Sequence, residues 1–370
     1  MNQLYDFQEI VQFFQFEGMY IKAEPYGFGH INSTFAIYFK GCNETMHRYI
    51  LQKINTTIFK SPERLMENME NVTSHIKRKI VSFGGNPERE TLTIIRTRDG
   101  KSFYKGKDGD CWRSFLFIEE AQTYQIVENP VHFYNAGKAF GRFAQYLADY
   151  PAANLYETIP DFHNTINRYQ DLMEAVKTDA KGRVKEVQNE IQFVMERADD
   201  TKLLLSLLKS GALPLRVTHN DTKFNNVMID DATGEGICVI DLDTVMPGLS
   251  LYDFGDAIRS GATTAKEDEE DLSKVWLDLK LFESFTQGYL KTAGNSITET
   301  ELEYLPFSAI LLTLECGMRF LGDYLNGDIY FKINKEKHNL DRARNQLKLV
   351  SDMEKNLDQM KKIVKDSINR

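Results

Sequence analysis

The chain has 370 residues, is 42% hydrophobic and 27% charged, and sets 45 Lys+Arg against 54 Asp+Glu for a net charge of −9. This excludes a disordered or low-complexity chain and suggests a globular protein large enough for two packed lobes. The acidic balance offers no broad basic field for nucleic acid or an anionic membrane surface, so neither is expected as a partner.

The four cysteines, Cys42, Cys111, Cys238 and Cys316, are dispersed with no C-x-x-C pair, and read as reduced thiols. No positively charged leader and no uninterrupted apolar run of about 18 residues is visible, so a cytoplasmic location is expected.

In chain order, residues 1–18 predict a short amphipathic helix burying Ile10, Val11, Phe13 and Phe14. The runs 35–39 and 49–51 are aromatic and β-branched around a Gly41-Cys42-Asn43 turn, a strand–turn–strand pattern. Ser61-Pro62-Glu63 is a helix start, and Leu65, Met69, Val72, Ile76 and Ile80 continue at helical spacing. Strands are predicted again at 91–95 and 112–118, with a Gly/Lys/Asp-rich hairpin between them. After Glu120 the pattern turns helical: one helix over 131–150, two long ones over 166–209, and more from about 257 to the end. Two short apolar strands, 215–221 and 236–243, interrupt it and end in polar clusters. The expectation is an α+β fold, with a small β-rich lobe over 1–119 and a larger, mostly helical lobe over 120–370.

Three polar clusters carry chemistry. Tyr26-Gly27-Phe28-Gly29-His30-Ile31-Asn32 lies between strand candidates. Such a Gly-x-Gly turn lets backbone N–H groups approach phosphate oxygens, or is an ordinary glycine hairpin. It neither opens a helix nor carries a Gly-Lys-Ser/Thr, which argues against dinucleotide folds and P-loops. The second cluster is His219-Asn220-Asp221-Thr222-Lys223-Phe224-Asn225-Asn226, and the third is Ile240-Asp241-Leu242-Asp243. Phosphoryl transfer needs a carboxylate for the attacking hydroxyl's proton, plus an amide and a second carboxylate for magnesium. Asp221, Asn226 and Asp241 supply that set; singly, each could be a cap or turn residue.

The His-Asn-Asp-x-x-x-x-Asn and Ile-Asp-x-Asp motifs resemble the aminoglycoside phosphotransferase/choline kinase superfamily, which has a protein-kinase-like bilobal fold. Within it, the N-acetylhexosamine 1-kinases are similar in phrases such as Gly29-His30-Ile31-Asn32, Leu51-Gln52-Lys53-Ile54-Asn55 and Arg319-Phe-Leu-Gly-Asp-Tyr-Leu325. The resemblance spans residues 26–345. It implies ATP and Mg²⁺ as cofactors, Asp221 as catalytic base, and Asn226 and Asp241 as metal ligands. Lys223 would neutralise the moving phosphate or be a solvated loop lysine; Asp243 would hold a second metal, position the acceptor, or brace a turn. Gly27, Gly29, His30 and Asn32 would wrap the nucleotide, although His30 fits loop packing equally. Asn32 stands where protein kinases have a third glycine, a place where its tolerance of positive φ would serve. Lys53 is the expected phosphate-facing cation, sharing a face with Leu51, and its acidic partner would be Glu67 or Glu70.

For the acceptor, Glu315, Arg319 and Asp323 recur every four residues on a mostly apolar helix, as a cleft wall or a surface ion-pair ladder. The resemblance favours the wall, for a small-molecule sugar phosphorylated at its anomeric hydroxyl. Trp112 and Arg113 would join it, or be a core Trp beside a snorkelling Arg. The acidic run 267–271 reads as solvated charge ahead of a helix. A kinase for choline, an aminoglycoside or homoserine is the alternative reading, as is a catalytically silent kinase-fold binder.

Overall fold

Two of the predicted strands pair in full register in the computed structural model, which describes residues 5–27, 29, 31–42 and 44–368. Strands β1 (Met19–Pro25), β2 (Ser33–Lys40) and β3 (Met46–Ile54) form an antiparallel meander. Phe35 lies opposite Leu51, and Ile37 opposite Tyr49. The short β4 (Ile94–Ile95) and β5 (Tyr104–Lys105) both pair with β6 (Cys111–Leu116), which itself pairs with β3. The sheet order is β1-β2-β3-β6-β4. Strand β1, the candidate ahead of the glycine turn, is an edge strand that is mostly exposed and shows no apolar alternation.

The expected N-terminal helix is cut to α1 (Phe7–Ile10) and one 3₁₀ turn, Val11–Phe13. Phe14 is extended and bridges to Thr97. The apolar residues here cover one face of the sheet: Val11 and Phe14 pack with Ile37, Phe39, Tyr49, Leu51 and Trp112 in a small separate core. A flat sheet needs a broad apolar cover, which a single narrow helical stripe would not provide.

Helix α2 (Pro62–Ser82) buries Leu65, Met69, Val72, Ile76 and Ile80, the predicted stripe. The one-turn α3 (Pro87–Glu90) follows. Beyond it, β7 (Ala121–Gln122) leads into α4 (Pro130–Leu147). Where two long helices were expected over 166–209 there are three, α5 (Thr165–Thr178), α6 (Gln188–Met195) and α7 (Asp200–Lys209). Asp179, in the left-handed region at φ 43°, ends the first of them. Strands β8 (Arg216–Thr218), β9 (Val227–Asp230), β10 (Gly236–Val239) and β11 (Met246–Gly248) form two ribbons: β10-β9-β7 and β11-β8.

The remaining helices are α8 (Ser250–Gly261), α9 (Leu279–Ala293), α10 (Glu299–Asn326), α11 (His338–Lys355) and α12 (Leu357–Ile368). Helix α9 packs along α4 so closely that a Cβ at Gly288 would clash with the Tyr134 carbonyl oxygen. Helix α10 is long and apolar enough to cross a membrane, but 83% of its apolar window is buried within the helical lobe.

Candidate active site

The ribbon β8–β11 and strand β9 launch a polar loop, 219–226, at the base of a cleft between sheet and helices. His219 is fully buried; its Nε2 donates to the Ile240 carbonyl at 2.8 Å, and its Nδ1 accepts from the Asp221 amide at 3.3 Å. Asn220 takes a left-handed φ of 64°, which turns Asp221 out of the strand direction. Two carboxylates from α8 hold the loop backbone. Asp253 accepts from the His219 and Asn220 amides at 2.9 and 2.7 Å, and Asp256 accepts from the Thr222 amide at 2.9 Å. Burial pushes Asp253 up to about 6 even though these bonds favour its ionised form. Asp253, Asp256 and Arg259, which pairs with Asp256 at 2.8 Å, were not foreseen from sequence. Their signal was present: Asp-x-x-Asp on an otherwise apolar helix, where each buried carboxylate needs donors.

Asp221, Lys223, Asn226 and Asp241 all line the cleft. Lys223 pairs with Asp221 at 2.8 Å, and Asn226 Nδ2 donates to the Asp221 backbone and side chain at 2.8 and 3.1 Å. Burial works to raise the Asp221 carboxyl, but the Lys223 ammonium, with His219 and Arg259 behind it, keeps the group below its ordinary value. Lys223 in turn is held above its ordinary value, chiefly by Asp221. Asp241 sits at φ 59° where β10 ends; burial, then the Asp243 and Asp221 carboxylates, push it up to about 7. The Asp241 carboxylate and the Asn226 amide, facing one cleft beside Asp221, are hard oxygen donors of the kind a divalent cation takes. No group of three or more His, Cys, Asp or Glu could hold a metal among the described residues. A magnesium ion here would take Asn226 and Asp241 and complete its shell from nucleotide and water.

The sheet forms the cleft's upper wall. Tyr26, Gly27, Gly29, Ile31 and Asn32 lie over it, while His30 falls outside the described residues. Asn32 does not adopt positive φ. It uses its amide instead: Nδ2 donates to Asp243 at 2.6 Å, and Oδ1 accepts from the Asn55 amide at 2.9 Å. Asp243 is corrected as an open metal ligand, because its other oxygen is taken by a buried ion pair with Arg113. It ties the glycine-loop segment and β6 to the helical lobe.

Lys53 is also corrected. It lies opposite Trp112 on the sheet face turned away from the cleft and pairs with Asp110 at 2.5 Å. Trp112 is buried in the small core against Tyr5 and Phe7, and does not line the cleft. Glu70 pairs with Arg96 and Glu67 reaches the Tyr156 hydroxyl, so neither meets Lys53.

The lined cavity is about 290 Å³, with Ile50, Met69, Leu92, Phe115 and Ile118 against Met228 and Ile240 on the apolar side. Residues 24–280 match the sequence model of the phosphotransferase enzyme family, APH. The chain belongs to that family.

Solved structures agree on the fold. An aminoglycoside phosphotransferase from Alicyclobacillus acidocaldarius aligns over 99% of this chain and 98% of its own, at 10% identity and a TM-score of 0.66. Amicoumacin kinase hAmiN, solved with AMP-PNP and Ca²⁺, aligns over 96% and 94% at 13% identity and a TM-score of 0.59. A choline kinase from Cryptosporidium parvum aligns over 95% and 94% at 15% identity and 0.55. The protein-kinase-like bilobal architecture expected from the sequence is the one this phosphotransferase has.

The phosphotransferase's predicted acceptor stripe is divided by the structure. Glu315 is buried and meets His163 Nδ1 at 2.9 Å; His163 Nε2 lies 3.3 Å from the Asn220 carbonyl. Asp323 is buried and accepts from the Ile329, Tyr330 and Phe331 amides and from Asn339 Nδ2, which makes it a brace for the chain after α10. Neither carboxylate is open to a ligand, a correction to both assignments. Arg319 differs. Its guanidinium lies 5.5 to 5.9 Å from the rings of Phe162, Tyr330 and Phe331, with no ion-pair partner among the described residues. Arg113, predicted beside the acceptor, instead lines the nucleotide-sized cavity.

Proposed function

We propose that the protein is an ATP- and Mg²⁺-dependent kinase that phosphorylates the anomeric hydroxyl of an N-acetylhexosamine, giving the sugar 1-phosphate. The observation carrying the phosphotransfer part is the convergence of Asp221, Asn226 and Asp241 on one wall of an apolar cleft. The adenine would fill the slot between Ile50, Phe115 and Ile118 above and Met228 and Ile240 below, with Gly27 and Gly29 over the phosphates.

Asp221 accepts the acceptor hydroxyl's proton as that oxygen bonds to the γ-phosphorus and the bond to the β,γ-bridging oxygen breaks. Its carboxyl is held low by Lys223, so it is a weak base and takes the proton late. That suits a loose transition state in which the attacking oxygen carries little charge until bonding is advanced. Lys223 itself stands ready beside the transferred group. Bound magnesium would offset charge on the phosphate oxygens.

The acceptor assignment rests on charge. A cationic aminoglycoside or choline needs unpaired carboxylates or an aromatic cage open to it. The acidic run is spent: Glu267 pairs with Arg259, Asp268 with His338, Glu269 and Asp271 with Lys274, and Glu270 with Lys335. Arg319, with no ion-pair partner among the described residues, is a cation set among the rings of Phe162, Tyr330 and Phe331. A guanidinium and rings suit the hydroxyls, amide carbonyl and apolar face of a neutral amino sugar derivative.

An ADP-release assay with N-acetylglucosamine, N-acetylgalactosamine, their methyl glycosides, choline and kanamycin tests this. Turnover on the free N-acetylated sugars, lost on the glycosides, is the expected result. Turnover only on choline or kanamycin would replace the acceptor; none with any acceptor would favour a silent binder.

A further inference from the structure

In this chain the usual lysine for the nucleotide's phosphates has no counterpart on β3. Side chains alternate along a strand. Tyr49, Leu51 and Lys53 therefore share the face packed by Phe14 and Trp112, while Ile50 and Gln52 face the cleft. The residue at the cleft position is Gln52, an amide. Across the ladder from it, on the same face, stands Arg113 of β6. The helix that would present a glutamate offers none: Met66, Asn68 and Met69 are its buried residues there, and Asn68 binds the Tyr156 and Val245 carbonyls of the helical lobe.

We propose that Arg113 is the residue that receives the nucleotide's phosphates, with Asp243 as its fixed counter-ion. This rests on the cleft being the nucleotide site. The Arg113 side chain is 1% exposed, yet it is only partly satisfied. Nε donates to Gln52 Oε1 at 3.0 Å, and Nη1 donates to Asp243 and more weakly to Met66 Sδ at 3.9 Å. Nη2 has no hydrogen-bond partner among the described residues, and Arg113 lines the cavity. The Nη2 N–H groups border the cavity, and an anion entering the cleft would give them acceptors. A planar guanidinium held by one carboxylate on one side, with N–H groups free on the other, is shaped for a phosphate oxygen pair.

The arrangement also differs in geometry from a lysine–glutamate pair within one lobe. Arg113 comes from the sheet and Asp243 from the helical side, and Asn32 of the glycine-loop segment binds the second Asp243 oxygen. The phosphate-facing cation, the loop over the cleft and the segment carrying Asp241 thus share one carboxylate.

Calorimetric titration of adenosine and ADP into wild type and into R113M, R113K and K53M tests the assignment. Adenosine reports the apolar slot; the ratio of the two affinities reports the phosphates. The expected result is that R113M weakens ADP roughly ten- to a hundredfold, as for loss of a charge-assisted hydrogen bond, and adenosine by less than about twofold. R113K should weaken ADP by less than R113M, since it keeps the charge without the fork, and K53M should leave the ratio at the wild-type value. Equal weakening of adenosine and ADP by R113M would make Arg113 a structural brace and overturn the proposal. Loss of ADP binding in K53M but not R113M would return the role to Lys53 and overturn it too. If R113M does not fold, R113K decides alone: an unchanged ratio overturns the proposal. Failure of wild type to bind even adenosine would overturn the nucleotide cleft itself, and the proposal with it.

Discussion

His163 Nδ1 lies 2.9 Å from Glu315 Oε1, and the other ring nitrogen is 3.3 Å from the carbonyl of Asn220, the residue before Asp221. A buried imidazole between a carboxylate and a carbonyl acceptor is best satisfied with protons on both nitrogens. Burial opposes that charge, yet Glu315 outweighs it and raises the His163 value above the ordinary one.

The sign of the resulting pH effect follows. A raised histidine contributes stability that is fully present below its unfolded value, near 6.5, and is lost as pH rises through its folded value. E315Q removes the cause, leaving burial to keep the ring neutral. The melting-temperature gap between wild type and E315Q should therefore be widest at about pH 6 and narrow toward pH 9. A gap that is the same at both ends would show that His163 is neutral throughout.

Substitution D221N should lower kcat by about 10²- to 10⁴-fold, the usual range for losing a positioned acid–base group. Adenosine affinity should stay near wild type, because Asp221 does not line the apolar slot. Near-normal turnover in D221N would sink the base assignment. D241N should instead remove the magnesium dependence of ADP affinity, measured by titration with and without the ion.

Asp253 predicts a different signature. Its two oxygens accept two backbone amides of the loop 219–226, and an asparagine can accept only at its oxygen. D253N should cost about 1–3 kcal/mol of stability by leaving a buried amide unmet. It should also depress kcat although it touches no substrate. Unchanged chemical denaturation would show that the loop holds itself.

Arg319 is the test of the acceptor side. R319L should raise the acceptor KM, by about tenfold or more if the guanidinium makes a charge-assisted hydrogen bond, and leave ADP affinity as in wild type. If the acceptor KM is unmoved while stability falls, Arg319 is a packing residue of its aromatic surroundings.

Short-range pattern was enough for much of this protein. The helix from Pro62 was legible because its cap and stripe are local, and so was the β2–β3 pairing, whose apolar runs flank a turn. The candidate catalytic loop was legible because Asp221 and Asn226 are five positions apart and Asp241 ends the next strand. Sequence alone therefore determined the fold class, and it singled out Asp221, Asn226 and Asp241 as the candidate trio that the structure brings to one cleft.

What it could not decide was which way a side chain points once a strand is laid in a sheet. Lys53 and Gln52 are neighbours and so point to opposite faces, and a one-residue difference in register would exchange which of them meets the cleft. With that choice, Lys53 and Trp112 went to the outer core and Arg113 to the cleft. Likewise Glu315, Arg319 and Asp323 share a helical stripe, yet His163 takes the first and the 329–331 amides the last. Those partners arrive from segments far off in the chain, such as His163, 152 positions from Glu315. Only tertiary packing decides which buried charge is already satisfied and which still has an N–H to offer, because that balance is made by groups that no local pattern brings together.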